Sequence, residues 1–387
     1  MGQWMDQVAR AWLVYDLTHS PLQLGLVSAL RGIPILIFGT IAGVVADRYN
    51  RKAQLVIAQG TNALLNAALA TLILTGQVQM WHVYVTAVLA GMVQAFQLPA
   101  RQVLISDLVG EKHLLNAISL NSAALNVSRS VGPAIGGLLI YAVGVDYSYF
   151  GQAALYALAS VWVLQIRIPK TAASGYVRAS ASDSIFHSLK EGIQYIISHR
   201  LIMALIVLGM APITLGMPFI GLMPIFAIDI FHGDARTQGL LLTMLGIGAV
   251  LGALSIASLG RRAGNGKLLI TSAAGFGLSL MLFAQSPVLA MAMSFTFLSG
   301  VFNSSYTSQN QTMLQLLVPP QLRGRVLGIY LLDRGLMPLG SLLAGALASW
   351  IGGPWAVTIM GAACFLLAVG IGVFVRELWK THPGFST

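Results

Sequence analysis

The chain is poor in cysteine and in charge. Its one cysteine, Cys364, excludes an internal disulfide and a metal site built from several thiolates. Only 9% of the 387 residues are charged, whereas a soluble domain carries about 25%. Because 56% of the residues are hydrophobic and the mean hydropathy is +0.78, the chain cannot cover a water-exposed surface. We therefore expect it to lie in a lipid bilayer.

The sequence also lacks the signatures of the common enzyme classes. No HExxH, P-loop or G-x-S-x-G pattern occurs, so we predict no catalytic residues, no cofactor and no metal site. A formal net charge of +10 would suit nucleic acid if it formed a basic face on a soluble domain. Here the bases occupy short loops between apolar runs, and we expect no nucleic-acid partner.

Apolar stretches of about 20 residues, the length that crosses a bilayer, recur along the whole chain. Residues 1–17 precede them and have the pattern of the later part of one more span, so we expect helix 1 to lack its first half. The sequence thus predicts an all-α membrane protein of twelve helices. The other eleven predicted spans are 22–46, 54–75, 80–103, 116–144, 147–168, 201–230, 237–259, 267–284, 288–317, 325–350 and 355–375.

The basic residues are distributed unevenly between the two sides of the membrane. Of the 22 Lys and Arg residues, 17 fall in loops on one side, one (Arg236) on the other, and four inside spans. By the positive-inside rule the side with 17 bases is cytoplasmic. We therefore expect the loop at 42–55 and the C-terminus on the cytoplasmic side.

The longest polar connection, 167–200, separates six spans from six. It predicts an N-terminal bundle (1–168), a cytoplasmic linker (169–200) and a C-terminal bundle (201–387). The linker begins Ser/Ala/Gly-rich and ends in an amphipathic pattern that favours a helix on the membrane surface. Its apolar positions are Ile185, Phe186, Leu189, Ile193, Ile196 and Ile197.

The two halves show signs of duplication. Residues 91–109 align without gaps on 300–318, with Gly91 on Gly300 and Gln102 on Gln311. A six-plus-six repeat with a site between the halves is a frequent plan of transporters.

The loop at 42–55, "AGVVADRYNRKAQL", concentrates charge in a chain that has little of it. Its pattern resembles the G-x-x-x-D-R-x-G-R-[RK] signature between helices 2 and 3 of the major facilitator superfamily. Together with residues 107–140 and 186–200, it resembles a bacterial subfamily that includes macrolide and siderophore (enterobactin-type) exporters, over nearly the whole chain. The matching positions are Gly43, Asp47, Arg48, Asn50, Arg51 and Lys52.

We interpret this loop as a conformational latch. A glycine at 43 allows another helix to approach closely, and Asp47 can accept bonds from the neighbouring bases. Asn50 stands where the family has glycine, and asparagine tolerates a left-handed turn. The alternative is a set of basic membrane anchors with an incidental acid.

A second motif, "GPAIGG" at 132–137, resembles the tail of a helix-5 motif of proton-coupled exporters. Pro133 kinks the helix, and Gly137 ends the motif. Gly132 and Gly136 offer a small-residue face, and helix 8 offers a matching Gly248-x3-Gly252; the resemblance implies that these two helices meet at the interface between the bundles. Ordinary helix packing is the alternative.

Ionisable residues inside spans are candidates for function. Asp6 and Arg10 share a helix face, and Arg31 lies at a similar depth on the next helix. A carboxylate there can gain a proton when desolvated and lose it when an arginine approaches, which is what proton coupling requires. A permanent structural ion pair is the alternative. The other candidates are Arg129, Asp333 and Arg334.

Substrate contacts are expected from polar and aromatic side chains on spans near the central axis. For each amide, a helix-to-helix hydrogen bond is the alternative. Three prolines at 212, 218 and 224 also predict a broken helix 7. The cavity candidates are Trp4, Gln94, Gln97, Asn121, Asn126, Asn303, Tyr306, Gln309 and Asn310.

From this pattern and resemblance we expect a monomeric secondary active transporter of the cytoplasmic (inner) membrane. The predicted activity is proton-coupled export, as an antiporter, of an amphiphilic small molecule such as a drug or siderophore, by alternating access. Its partners would be that small molecule, protons and the bilayer. Proton-coupled uptake of a metabolite and a transport-inactive sensor or scaffold on the same fold are the alternatives.

Overall fold

The computed structural model describes residues 1–166, 185–259, 265–331 and 333–380. Within these ranges the chain is helical and contains no strand, as the sequence predicts. The helices are α1 (Gly2–Thr18), α2 (Pro21–Arg48), α3 (Arg51–Leu74), α4 (Met80–Gln165), α5 (Ile185–Ser198), α6 (Arg200–Ala211), α7 (Met223–Ile225), α8 (Ala235–Ser258), α9 (Gly266–Ala284), α10 (Leu289–Leu317), α11 (Pro320–Leu331), α12 (Asp333–Ile351), α13 (Gly353–Phe374) and α14 (Glu377–Lys380).

The continuous helical stretch α4 contains more than one membrane crossing. A straight helix of its 86 residues would measure about 129 Å, far more than a bilayer. Arg101 nevertheless donates to the side chain of Asn121 at 2.5 Å, so the chain turns back between them. It turns again at Gly144, whose φ of +93° favours glycine. These turns agree with the predicted spans 80–103, 116–144 and 147–168.

Eight helical segments in the described ranges are long and apolar enough to span a membrane. Among the described residues, two further predicted spans are helical but too short or too polar to be counted. Helix α1 has 17 residues and contains Asp6 and Arg10. Helix α10 has 29 residues, but its many polar side chains make it too hydrophilic to count among the eight.

The predicted break of helix 7 is confirmed. After α6 the chain continues as a π-helix (Pro212–Gly216), a 3-10 helix (Met217–Leu222), the short α7 and a second π-helix (Phe226–Ile230). Each proline removes a backbone N–H from the helical ladder and crowds the preceding turn, so the bonding pattern changes at each one.

The chain divides into two compact units. The first comprises Met1–Arg178 with Ala227–Leu240, and the second comprises Ala179–Phe226 with Leu241–Thr387. The first unit is built around large buried side chains such as Met5, Leu69 and Tyr149. The second is built around the aromatic cluster of Phe219, Phe226 and Phe283.

The amphipathic part of the linker forms the helix α5, as the sequence predicts. Its Ile196 is buried, while Ile193 and Ile197 are exposed. Gly192 lies against Ile329, and Glu191 forms an ion pair with Arg325, both on α11. The helix therefore packs on the second unit and keeps an apolar edge free for the predicted contact with the membrane surface.

Candidate functional site

Three charged side chains meet inside the first unit. The Arg10 guanidinium donates to the Asp6 carboxylate at 3.0 Å and 3.5 Å. Arg31, on α2, donates to the same carboxylate. The side chains of Asp6 and Arg10 are only 4% and 6% exposed. The pairing expected from helix spacing and depth is thus confirmed, whereas its role in proton coupling stays a prediction.

The two arginines are held differently. Arg10 also donates to the Thr86 hydroxyl at 3.0 Å and to the Val83 carbonyl at 3.5 Å, so its guanidinium is anchored to α4. Arg31 has no hydrogen-bond partner besides Asp6 among the described residues, and its side chain is 20% exposed. Arg10 is therefore the fixed partner of Asp6, and Arg31 is the one that a movement of α2 can withdraw.

Two tyrosines complete the surroundings of this cluster. Tyr149 and Tyr156 lie close enough for their hydroxyls to interact electrostatically with Asp6 and both arginines. The Tyr149 hydroxyl is fully buried and has no hydrogen-bond partner among the described residues. It is therefore a neutral donor available close to a charged carboxylate.

Thr86 and Tyr149 were missed by sequence reasoning, because a lone hydroxyl within an apolar span has no characteristic spacing. Sequence reasoning also missed two contacts between residues that are far apart in the chain. Tyr15 donates a hydrogen bond to Asp229, and the Arg236 guanidinium lies over the ring of Tyr141, 5.7 Å from its centroid. The side chains of Arg129, Asp333 and Arg334 lie outside the described part of the structure.

The loop at 42–55 differs from the prediction in two details. Asn50 has φ −61° and accepts a hydrogen bond from the Ala53 amide at 3.1 Å. It is the N-cap of α3 and not a left-handed turn residue, because a cap needs an extended backbone and a side-chain acceptor. A Cβ added to Gly43 would have no described atom within 4 Å, so no described helix makes the expected close approach there.

The bases of this loop bind backbone carbonyls. Arg51 donates to Ala46 O at 3.1 Å, and Lys52 donates to Ile166 O at 2.9 Å. Both carbonyls lie near C-terminal helix ends, where a positive charge is stabilised. Arg48 is exposed, and the Asp47 side chain lies outside the described residues. The latch itself stays a prediction.

The glycine motif of residues 132–137 packs in a different way from the one expected. Cβ atoms on Gly132 and Gly136 would meet α1, at Trp4 and Met5 respectively. Only Gly137 faces α8, where a Cβ would lie 2.6 Å from Ala235 O and 2.7 Å from the Cα of Gly239.

The two glycines of helix 8 have other neighbours as well. Cβ atoms on Gly248 and Gly252 would lie 2.0 Å and 2.3 Å from carbonyl oxygens of α10. The helix of the 132–137 motif and helix 8 therefore meet, as the resemblance implies, but at Gly137 and not through the faces of Gly132 and Gly136 or of Gly248 and Gly252. Gly132 and Gly136 pack on α1, and Gly248 and Gly252 pack on α10, so each pair packs within its own unit. Gly137 is the glycine of the 132–137 motif that contacts α8.

The polar face of α10 is buried within the second unit. Asn303 lies 3.3 Å from the sulfur of Met217, and Gln309 donates to Ser272 Oγ at 3.3 Å and to Ser305 O at 3.0 Å. The contacts with Met217 and Ser272 are helix-to-helix contacts of the alternative interpretation, whereas the bond to Ser305 lies within α10. Asn310 is fully buried, and both its amide atoms lack partners in the described structure. The Tyr306 ring packs 6.0 Å from that of Phe276.

The cavity candidates of the first unit are less uniform. Asn121 accepts a hydrogen bond from Arg101, and the side chain of Trp4 packs against Gly132. Gln94 and Gln97 are half-buried, and the side chain of Asn126 lies outside the described residues. Their contact with substrate stays a prediction.

Comparison with known proteins identifies a family. The model of the transmembrane secretion effector family, a major facilitator family, matches residues 1–382. The staphyloferrin A transporter of Staphylococcus aureus is 28% identical over 98% of this chain and 94% of its own length. The multidrug efflux pump Tap of Mycolicibacterium fortuitum is 27% identical, covering 97% and 93%. The enterobactin exporter EntS of Citrobacter koseri is 24% identical, covering 94% and 85%.

Solved structures show the same fold. The nucleoside transporter NupG superposes with a TM-score of 0.73 at 15% identity, covering 98% of this chain and 97% of its own. A D-xylose–proton symporter superposes with a TM-score of 0.70 at 14% identity, covering 98% and 97%. The predicted major-facilitator architecture is therefore confirmed.

Proposed function

We propose that this chain, which belongs to the transmembrane secretion effector family of the major facilitator superfamily, exports an amphiphilic small molecule in exchange for protons. It is a multi-pass membrane transporter. Export across the cytoplasmic membrane, proton coupling and the substrate class are the proposal. The observation that carries it is the buried cluster of Asp6, Arg10 and Arg31.

The chemistry of this cluster suits a carboxylate that changes its protonation state. With both arginines in place, Asp6 is a charged carboxylate bound on two sides. Arg31 is on α2 and Asp6 on α1, so a small shift between these helices withdraws one partner. With one of its two cationic partners withdrawn, the buried Asp6 carboxylate has less opposing charge and binds a proton more readily. Return of Arg31 expels the proton.

The direction and the substrate class rest on the relatives. One relative is named for transport of a siderophore, one for export of another, and one for efflux of drugs. An amphiphilic substrate would be contacted by the Trp4 indole, the Gln94 and Gln97 amides and the charge cluster. Alternating access then moves the substrate outward as protons move inward.

The loop at 42–55 has a proposed part in this cycle. The bonds from Arg51 and Lys52 to backbone carbonyls connect the N-terminus of α3 with the ends of α2 and α4. Charge-assisted bonds of this kind are strong and directional. We place the latch here: breaking and remaking these bonds biases the first unit toward one conformation.

The test measures accumulation of labelled siderophores, antibiotics and dyes in bacterial cells that lack their own exporters. Cells with the native chain should accumulate several-fold less of at least one compound, and a protonophore should abolish the difference. Asp6→Asn should behave like the protonophore. Asp16→Asn is the matched control, because Asp16 is on the same helix but exposed, and it should export normally.

Membrane levels of each variant are measured by immunoblot, and Arg31→Leu serves as a second variant in case Asp6→Asn does not fold. Higher accumulation with the native chain would reverse the direction and establish uptake. Export that persists in folded Asp6→Asn and Arg31→Leu would contradict the role of the cluster. If cells with and without the native chain accumulate every compound of the panel equally, export of this substrate class is contradicted.

A further inference from the structure

The end of α13 carries two adjoining cavities in the second unit. One of about 450 Å³ is lined by Gly372, Val373, Arg376 and Trp379. The other, of about 290 Å³, shares Val373 and Arg376 and adds Arg200, Phe374, Val375 and Glu377. Both lie at the C-terminal end of α13, and the second also contacts Arg200, the first residue of α6.

The rim of these cavities is positively charged. The Arg376 side chain is exposed and has no hydrogen-bond or ion-pair partner among the described residues. Arg200 is fixed at the rim, because it donates to the carbonyl of Phe374 at 2.9 Å. Glu377 is the single acid among the lining residues, and the described structure shows no ion pair between it and either arginine. One positive charge therefore remains uncompensated at the rim.

The wall below the rim is apolar and faces outward. Val373 and Phe374, in the last turn of α13, are 60% and 73% exposed. Beside them the indole N–H of Trp379 donates to the carbonyl of Gly372, which holds the ring against the helix end. Tryptophan in this position marks the membrane–water interface. The cationic rim, the indole and the apolar wall thus adjoin one another at the end of α13.

We propose that this site binds an anionic phospholipid, with its phosphate on Arg376 and Arg200 and an acyl chain along Val373 and Phe374. These adjoining groups match the parts of a lipid molecule: basic side chains for the headgroup, an indole for the interface and apolar side chains for the hydrocarbon. The distribution of basic residues predicts this end of the chain on the cytoplasmic side, where anionic lipids are abundant. The proposal concerns the lipid-facing surface and stands independently of substrate and coupling.

The experiment uses the full chain, purified in detergent with a defined mixture of phosphatidylglycerol and phosphatidylcholine. Native mass spectrometry counts the lipids retained. Phosphatidylglycerol should be retained preferentially, and Arg376→Gln should weaken this retention about five-fold, the effect of one arginine near a membrane surface. The Arg376 side chain makes no bond within the described chain, so its replacement should leave folding intact. Lys267→Gln, an exposed base at the start of α9, is the control and should retain the lipid.

Two further measurements identify the source of the phosphate. Inorganic phosphate is added at millimolar concentration, and thermal unfolding is followed with each lipid alone. Phosphatidylglycerol should raise the unfolding temperature of the native chain more than that of Arg376→Gln, and inorganic phosphate should not. Equal retention of the two lipids, no difference between the native chain and Arg376→Gln, or the same stabilisation by inorganic phosphate would each overturn the proposal.

Discussion

Each of the two units contains the same kind of close contact between a glycine and a backbone carbonyl, but the side chain of the residue that carries the carbonyl differs. A Cβ on Gly91 would lie 2.1 Å from the carbonyl oxygen of Arg31, and one on Gly300 would lie 2.1 Å from that of Leu245. Gly91 and Gly300 are also the residues that align in the sequence repeat. The same close helix approach thus occurs in both units, which supports the duplication. At the partner position, however, one unit has a charged side chain and the other an apolar one.

This difference extends to the surroundings. In the first unit Arg31 joins a cluster of charges, in which each member is bound by an opposite charge. In the second unit, the described polar side chains of α10 are hydroxyls and neutral amides such as Gln309 and Asn310. A buried charge costs far more than a buried amide unless it is paired. The shared architecture therefore tolerates divergence in side chains at this contact as long as a buried charge there is paired.

The strongest test of this comparison removes one arginine at a time. Arg10→Leu leaves Asp6 with only the partly exposed Arg31 and removes the bonds to Thr86 and Val83, so we expect a loss of about 4 kcal/mol in the free energy of unfolding. Arg31→Leu copies Leu245 of the second unit and leaves the buried Asp6–Arg10 pair intact. It should fold but lose transport. Denaturant or thermal unfolding of the purified variants measures the first effect, and compound accumulation the second.

The opposite ranking would be informative. If Arg31→Leu unfolded the protein and Arg10→Leu did not, Arg31 would be the structural partner and Arg10 the movable one. Expression of both variants at native levels with native transport would mean that the ion pairs contribute nothing measurable.

Much of this arrangement was predictable, and the failures have a physical cause. Spans, the broken helix 7 and the meeting of Asp6, Arg10 and Arg31 follow from helix length, proline chemistry and helical periodicity, all of which are local. The neighbours of Gly132 and Gly248 do not follow, because glycine permits close approach without selecting a partner. Thr86 and Tyr149 were missed for the related reason that their roles depend on contacts between distant parts of the chain.

The next largest effect concerns the shared glycines. Gly91→Ala and Gly300→Ala each push a methyl group into a backbone carbonyl, which cannot move away as a side chain would. We expect each substitution to lower the free energy of unfolding by about 3 kcal/mol, and the loss should be similar in the two units. Gly43→Ala is the control: no described atom lies within 4 Å of its Cβ position, and alanine favours the helix by about 1 kcal/mol.

Thermal unfolding of the three purified variants gives the comparison directly. A large loss for one glycine and none for the other would mean that the contact is not equivalent in the two units. Destabilisation by Gly43→Ala would mean that another helix does approach there.

We expect a smaller change in the free energy of unfolding from substitutions on the polar face of α10. Asn310 is fully buried with both amide atoms unpartnered in the described structure, so Asn310→Leu, which keeps the branching at Cγ and removes the polar atoms, should raise the free energy of unfolding by about 2 kcal/mol. Gln309→Leu, which removes two hydrogen bonds, should lower it. A stability gain that is accompanied by loss of transport would identify Asn310 as a substrate contact. Destabilisation by Asn310→Leu would show that the amide has a partner, such as a bound water.

The smallest effect returns to the loops that begin α3 and α9. Asn50 accepts from the Ala53 amide at 3.1 Å, and Asn265 accepts from the Lys267 amide at 2.9 Å, so the same residue type caps the corresponding helix in each unit. Asn50→Ala and Asn265→Ala should each cost about 1 kcal/mol in unfolding free energy, and the glycine variants only a few tenths. Because only the first of these loops carries an acid, Asn50→Ala should also change the transport rate, whereas Asn265→Ala should not. Equal transport by the two alanine variants would show that Asn50 only caps α3, as Asn265 caps α9. It would contradict a latch in the loop at 42–55.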